Sequence, residues 1–176
     1  KGAKQADRMV ISNDDPSLST GITKGLWSHL YKMIYLSNLI LDKIDAVEFN
    51  DTSIKNQTKG EALFFRGLSH YYVGKFFGNG VRLTSSISAE NSQHIKALDN
   101  QTALFEQAAS DLSKATELLP VSGAFGRATK YVAEGFLADY YMFANKPEQA
   151  KPLLEDVLKN SGASFEPIFS NIFAAD

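Results

Sequence analysis

Residues 58–83, TKGEALFFRGLSHYYVGKFFGNGVRL, decide the fold. Apolar side chains at Phe64, Phe65, Leu68, Tyr71, Tyr72 and Phe76 recur at three- and four-residue intervals, which lays a wide aromatic stripe along one side of a helix and leaves Arg66 and His70 on another. Thr58 and Glu61 stand at the S/T-x-x-E spacing of a capping box, so the pattern predicts a helix over 58–77. Gly78, Asn79 and Gly80 all tolerate left-handed backbone, and the helix must stop and turn there.

On the N-terminal side, the polar stretch Asn50 to Gln57 reads as a linker, and before it Leu26, Trp27, Leu30, Tyr31, Ile34, Leu39, Leu41 and Ile44 predict a helix over 23–47. Two long helices joined by a short polar loop favour an antiparallel pair. Residues 1–22, with Asn13, Asp14, Asp15, Pro16 and Gly21, carry turn formers and no period, and are read as irregular. On the C-terminal side, the serine- and asparagine-rich stretch 84–98 reads as a surface loop. Leu104, Phe105, Ala108, Leu112, Ala115 and Leu119 then predict a helix over 100–119 that Pro120 closes. Further helices are expected over 129–144 and 147–160, with Pro152 expected to delay or kink the last. Phe165, Ile168, Phe169, Ile172 and Phe173 form an apolar tail. No stretch alternates long enough to read as a strand, so the class is all-α in a single domain over 1–176.

Leu137, Ala138, Tyr141, Asn145, Ala150, Leu154 and Val157 sit at the spacing of a tetratricopeptide repeat, in which small residues let paired helices approach and large ones fill the gaps. Ala108, Leu112, Ala115 and Pro120 repeat the second half of that motif, with the helix carrying Glu61 as its first half. The expected architecture is therefore tetratricopeptide-like antiparallel helix pairs with irregular loops.

With 176 residues, 44% of them hydrophobic and 11% aromatic, the chain is able to bury its own core. Eighteen basic against twenty acidic side chains give a net charge of −2 with no basic face, which argues against a nucleic-acid partner. The absence of cysteine excludes disulfides, thiolate zinc sites and cysteine nucleophiles. His29, His70 and His94 fall on separate elements without a second histidine nearby, so no metal site and no cofactor is expected. Gly78 and Gly80 lack the third glycine and the preceding strand of a dinucleotide loop. Asp42, Asp45 and Glu48 read as a solvated helix face rather than as facing catalytic carboxylates. No catalytic constellation is found, and the chain is not expected to be an enzyme. Three N-x-T matches, at Asn50, Asn56 and Asn100, are explained by caps and turns.

The run EALFFRGLSHYYVGKFFGNGVRL resembles the signature helix and turn of the SusD/RagB family, through Glu61, Ala62, Phe64, Arg66, Phe77, Gly78 and Leu83. It departs from that pattern at Gly67, where alanine is usual, in one extra turn residue, and at Arg82, where proline is common. Trp27, Leu30, Tyr31, Ile34 and Asn38 resemble the family's preceding helix, and Gly126 to Lys130 with Leu137, Ala138, Tyr141 and Ala150 resemble its later pair. The resemblance implies a non-catalytic outer-membrane surface lipoprotein that binds a glycan or other nutrient and works with a TonB-dependent transporter. It implies a secreted precursor whose lipid-acceptor cysteine lies upstream of Lys1, so the chain is expected to be part of a longer protein.

Sugars stack on exposed aromatic rings and hydrogen-bond to planar polar side chains. The candidate ligand residues are accordingly Asn13, Asp14 and Asp15 in the irregular segment, Trp27 bordering it, and Asn79 and Arg82 in the turn. The spacing of Trp27 with Leu30, Tyr31 and Ile34 gives it a packing role as well. The alternative, from a different class, is a tetratricopeptide-like module that holds a peptide or protein in its concave groove.

Overall fold

The computed structural model describes residues 21–87, 98–164 and 167. Asn13, Asp14 and Asp15, and the tail residues Phe165, Ile168, Phe169, Ile172 and Phe173, lie outside the described residues. The described helices are α1 (Gly21–Lys43), followed by a 3-10 turn (Ile44–Ala46), α2 (Thr52–Phe77), α3 (Gln101–Leu118), α4 (Lys130–Phe143) and α5 (Pro147–Asn160). There is no strand among the described residues; one isolated antiparallel bridge joins Gly80 and Asp99. The fold is all-α and tetratricopeptide-like. Each helix packs on its neighbour in sequence, and α2 against α3 is the broadest contact.

That contact has a specific cause. Gly60, Gly67 and Gly74 recur every seven residues on the face of α2 that meets α3, where an added Cβ would stand 3.0 Å from Leu119 Cγ, 3.0 Å from the Ala108 carbonyl oxygen and 2.6 Å from the Phe105 ring, respectively. Across from this glycine groove α3 presents Ala108 and Ala115, both fully buried. Around the seam, Phe64, Tyr71, Phe105, Leu112, Leu137 and Tyr140 form the main core, and Leu30, Ile34, Val73 and Leu104 form a second one between α1, α2 and α3. Fully burying one such large side chain contributes ~1.5–3 kcal/mol.

Three expectations are corrected. The capping box at Thr58 and Glu61 does not form: Asp51 caps α2 by accepting from Ser53 N at 2.7 Å, so the helix begins at Thr52. Thr58 instead donates to the Ile54 carbonyl, one turn back, and Glu61 takes a bidentate pair with Arg127 at 2.6 and 2.7 Å. Asp supplies an N-cap at least as good as Thr, and residues 52–57 contain no proline or glycine to break the extra turns. The helix expected to reach 47 ends at Lys43, and the tightened turn that follows carries Asp45, solvated as expected, to within 2.7 Å of Lys59. Finally, α5 is not delayed: it starts at Pro147 and runs on through the exposed Pro152, whose missing N–H leaves the Glu148 carbonyl without its intrahelical partner. Asn100 caps α3 by accepting from Ala103 N at 2.9 Å and Thr129 caps α4 by accepting from Val132 N at 3.4 Å, at the starts expected for both helices.

The aromatic stripe of α2 also divides. Phe64 and Tyr71 are core residues, whereas Phe65 is 39% and Phe76 58% exposed. Arg66 and His70, on the supposed polar side, are buried.

Candidate functional site

The α2 helix ends at Gly78, whose φ of 75° is one that only glycine adopts without strain. Gly80 then drops against α1 so closely that an added Cβ would lie 2.7 Å from the Tyr31 hydroxyl. From Val81 to Ser86 the chain has no strand partner among the described residues, and side chains satisfy its backbone groups instead. Val81 N–H donates to the Tyr31 hydroxyl at 2.6 Å and Arg82 N–H to the Asp99 carboxylate at 2.9 Å. Leu83 N–H donates to His70 Nε2 at 3.2 Å and Ser86 N–H to Asp42 at 2.8 Å. The Leu83 and Ser85 carbonyls both accept from Asn38 Nδ2, at 3.1 and 2.9 Å, and the Thr84 carbonyl accepts from Arg66 Nη1 at 3.0 Å.

Arg66 is the centre of this clamp. Its Nε and Nη2 each lie 2.7 Å from an oxygen of Asp111, a bidentate pair in which Asp111 is fully buried, and Nη1 also donates to Asn38 Oδ1 at 2.9 Å. A fork of this kind fixes the guanidinium plane, which a lysine would not. His70 lies 3.0 Å from the Arg66 carbonyl through Nδ1, so Nδ1 carries the proton and Nε2 is free to accept from Leu83. Burial pushes its pKa down to about 4, with the nearby Arg66 charge acting in the same direction and Asp111 against it. The ring is neutral and serves as a spacer between helix and turn.

Beside the turn, Trp27 packs on Tyr31 at 4.6 Å and edge-on to Phe77 at 5.0 Å. Half-buried, it lines a cavity of about 370 Å3 together with Thr23, Lys24, Ser28 and Phe77. Asn79 and Arg82 are exposed, and Arg82 Nε lies 3.8 Å from Asp99. Of the sequence-derived candidates, Trp27, Asn79 and Arg82 therefore lie at one end of the molecule, linked through Phe77 and Tyr31. Arg82 in place of proline acquires a reason, because its backbone N–H is committed to Asp99 and proline has none to give.

The sequence reading passed over Asp111, and its signal was available. Asp111 interrupts the apolar period of Leu104, Ala108, Leu112 and Ala115, and an acid in a core position calls for a buried cation. Among the described residues no group of three or more acidic or histidine side chains is arranged to hold a metal. No described helix is long and apolar enough to cross a membrane.

The family described as starch-binding proteins associating with the outer membrane, SusD-like, matches residues 4–142. The chain belongs to the SusD-like family. A SusD-like protein of Bacteroides ovatus is 22% identical over 162 residues, which is 85% of this chain and 30% of that protein. Among solved structures, a laminarin-binding SusD-like protein superposes with a TM-score of 0.77 at 21% identity, over 84% of this chain and 34% of its own. A protein crystallised with a xylogluco-oligosaccharide superposes with a TM-score of 0.73 at 21% identity, over 85% and 32%. The SusD-like chain thus spans about a third of the length of the relatives it matches, and at such identities the superposed structures establish its fold.

Proposed function

We propose that the chain is the helical portion of a non-catalytic glycan-binding protein of the outer-membrane surface, which captures an oligosaccharide and passes it to a TonB-dependent transporter. The observation that carries this reading is the family match over residues 4–142, to a family described as starch-binding and outer-membrane-associated. Laminarin and a xylogluco-oligosaccharide, the sugars named for two superposed structures, make a neutral β-linked glucan the first ligand to test. Trp27, Asn79 and Arg82, with Asn13, Asp14 and Asp15 from the segment preceding α1, are assigned to its surface. The clamp on residues 81–86 supports the assignment, because it holds the turn beside Trp27 without a sheet and so pre-organises the surface. Anchoring belongs to a lipid-bearing segment upstream of Lys1.

The test is calorimetric titration with laminarin-, xyloglucan- and starch-derived oligosaccharides, repeated on Trp27→Ala and on an Asn13→Ala, Asp14→Ala double variant. Binding that weakens in either folded variant supports the reading, and affinities unchanged in both count against this surface. A second reading, a groove for protein, is favoured by an apolar cavity of about 370 Å3 between α1 and α2, lined by Met33, Leu36, Ile40 and Phe65. Peptide binding that is blocked by Phe65→Asp would support it.

A further inference from the structure

A cavity of about 360 Å3 lies between the N-terminal end of α3 and the C-terminal end of α4, well apart in sequence from the Trp27 surface. It falls at the lower end of the size range of small-molecule sites, ~300–1,000 Å3. Its floor is aromatic. Phe105 meets Tyr140 edge-on at 5.7 Å and Phe143 at 5.6 Å, and Phe143 remains 49% exposed. Tyr140 is only 4% exposed, yet its hydroxyl has no hydrogen-bond partner among the described residues. The hydroxyl is not sealed from water: it opens on the cavity, where an incoming group is able to pair with it. Burial and the nearby Glu106 carboxylate both raise its pKa, so the hydroxyl keeps its proton and is able both to donate and to accept.

The rim is polar and of mixed sign. Glu106 offers acceptors, Lys146 donors and Asn145 both. Asn145 has a φ of 55°, a left-handed conformation uncommon outside glycine, and the turn is locked by Lys146 N–H donating to the Tyr141 carbonyl at 2.7 Å. One acid and one base leave the rim without net charge, which suits neither an anion nor a cation. An apolar peptide side chain would leave the Tyr140 hydroxyl and the rim unpaired. A neutral ring with one apolar face and a circumference of hydroxyls meets all three requirements.

We propose that this cavity is a carbohydrate subsite separate from the Trp27 surface, taking one neutral pyranose unit on Phe143 with its hydroxyls on Tyr140, Glu106 and Asn145. The assignment rests on the glycan-binding reading above. It is tested on the 15N-labelled chain by following amide shifts during titration with laminarin- and xyloglucan-derived oligosaccharides, in the parent and in Tyr140→Phe. The variant keeps the packed ring and removes only the hydroxyl. Saturating shifts at residues 101–106 and 145–146, with affinity at those residues falling about five- to tenfold in Tyr140→Phe, are expected for one lost hydrogen bond. Shifts confined to the neighbourhood of Trp27, or an affinity at residues 101–106 indifferent to Tyr140→Phe, would overturn the subsite and leave the glycan reading standing. No shift anywhere with either sugar would overturn both.

Discussion

His70 should make the stability of this chain depend on pH between about 4 and about 6.5, in addition to the carboxylates that titrate at the lower end of that window. In the fold the ring is fully buried, donates through Nδ1 to Arg66 and accepts through Nε2 from Leu83, and its pKa lies at about 4. In the unfolded chain it returns to about 6.5. Between those two values the unfolded state binds the extra proton, so stability rises with pH: it is complete above about 6.5 and is lost as the pH falls towards about 4. At ~1.4 kcal/mol per pH unit, the interval is worth about 3 kcal/mol. The measurement is urea unfolding followed by circular dichroism at several pH values across that window, for the parent and for His70→Gln. The variant will be less stable at neutral pH, but the informative quantity is the slope. The parent should lose about 3 kcal/mol more than the variant across the window. Equal slopes in the two proteins would refute the neutral, accepting histidine.

Other perturbations follow from the same contacts. Asp111→Ala leaves the Arg66 guanidinium buried without its partner, and should lower stability by ~3–5 kcal/mol in denaturant unfolding; a cost under about 1 kcal/mol would mean that water reaches the pair. The double replacement Arg66→Met, Asp111→Leu should recover much of that loss, while amide exchange at Leu83 to Ser86 speeds up because the Thr84 and Asn38 anchors are gone. Gly67→Val drives a branched side chain into the Ala108 carbonyl and should cost ~2 kcal/mol or more by thermal unfolding, with any stabilisation contradicting the glycine seam. Phe64→Ala or Tyr71→Ala should each cost ~3 kcal/mol, and loss of sugar binding at unchanged stability would show that these rings are not core.

Helices were legible because their information is local. Local pattern located the five described helices, and the starts expected at 100 and 129 fall on residues whose side chains cap the helix, since a cap and its amide lie three residues apart. Local rules failed where two compatible local answers competed, as when Asp51 outranked Thr58 as the N-cap. They failed again where a residue's role is decided by a distant partner. Gly67 looked like a departure from a pattern until the Ala108 carbonyl was found against it. Asp111 takes on a role only through Arg66, forty-five residues earlier, which closes on it. The candidate site was legible in the same proportion. Trp27 and the turn at 78–82 could be picked out, whereas Tyr140 could not, because a tyrosine at a core spacing gives no sign of which way its hydroxyl opens.

The bridge between Gly80 and Asp99 is paired in both directions, at 3.1 and 2.7 Å, and it gathers the two ends of the intervening chain at one point. Everything that fixes α2 against α3 lies outside that closure. Lengthening the enclosed chain beyond the clamped residues 81–86 therefore bears mainly on loop entropy, about 0.6 kcal/mol for each doubling. The clamp on residues 81–86 holds the first part of that chain, so insertions placed after Ile87 should change what the surface presents to the medium while the helices keep their register.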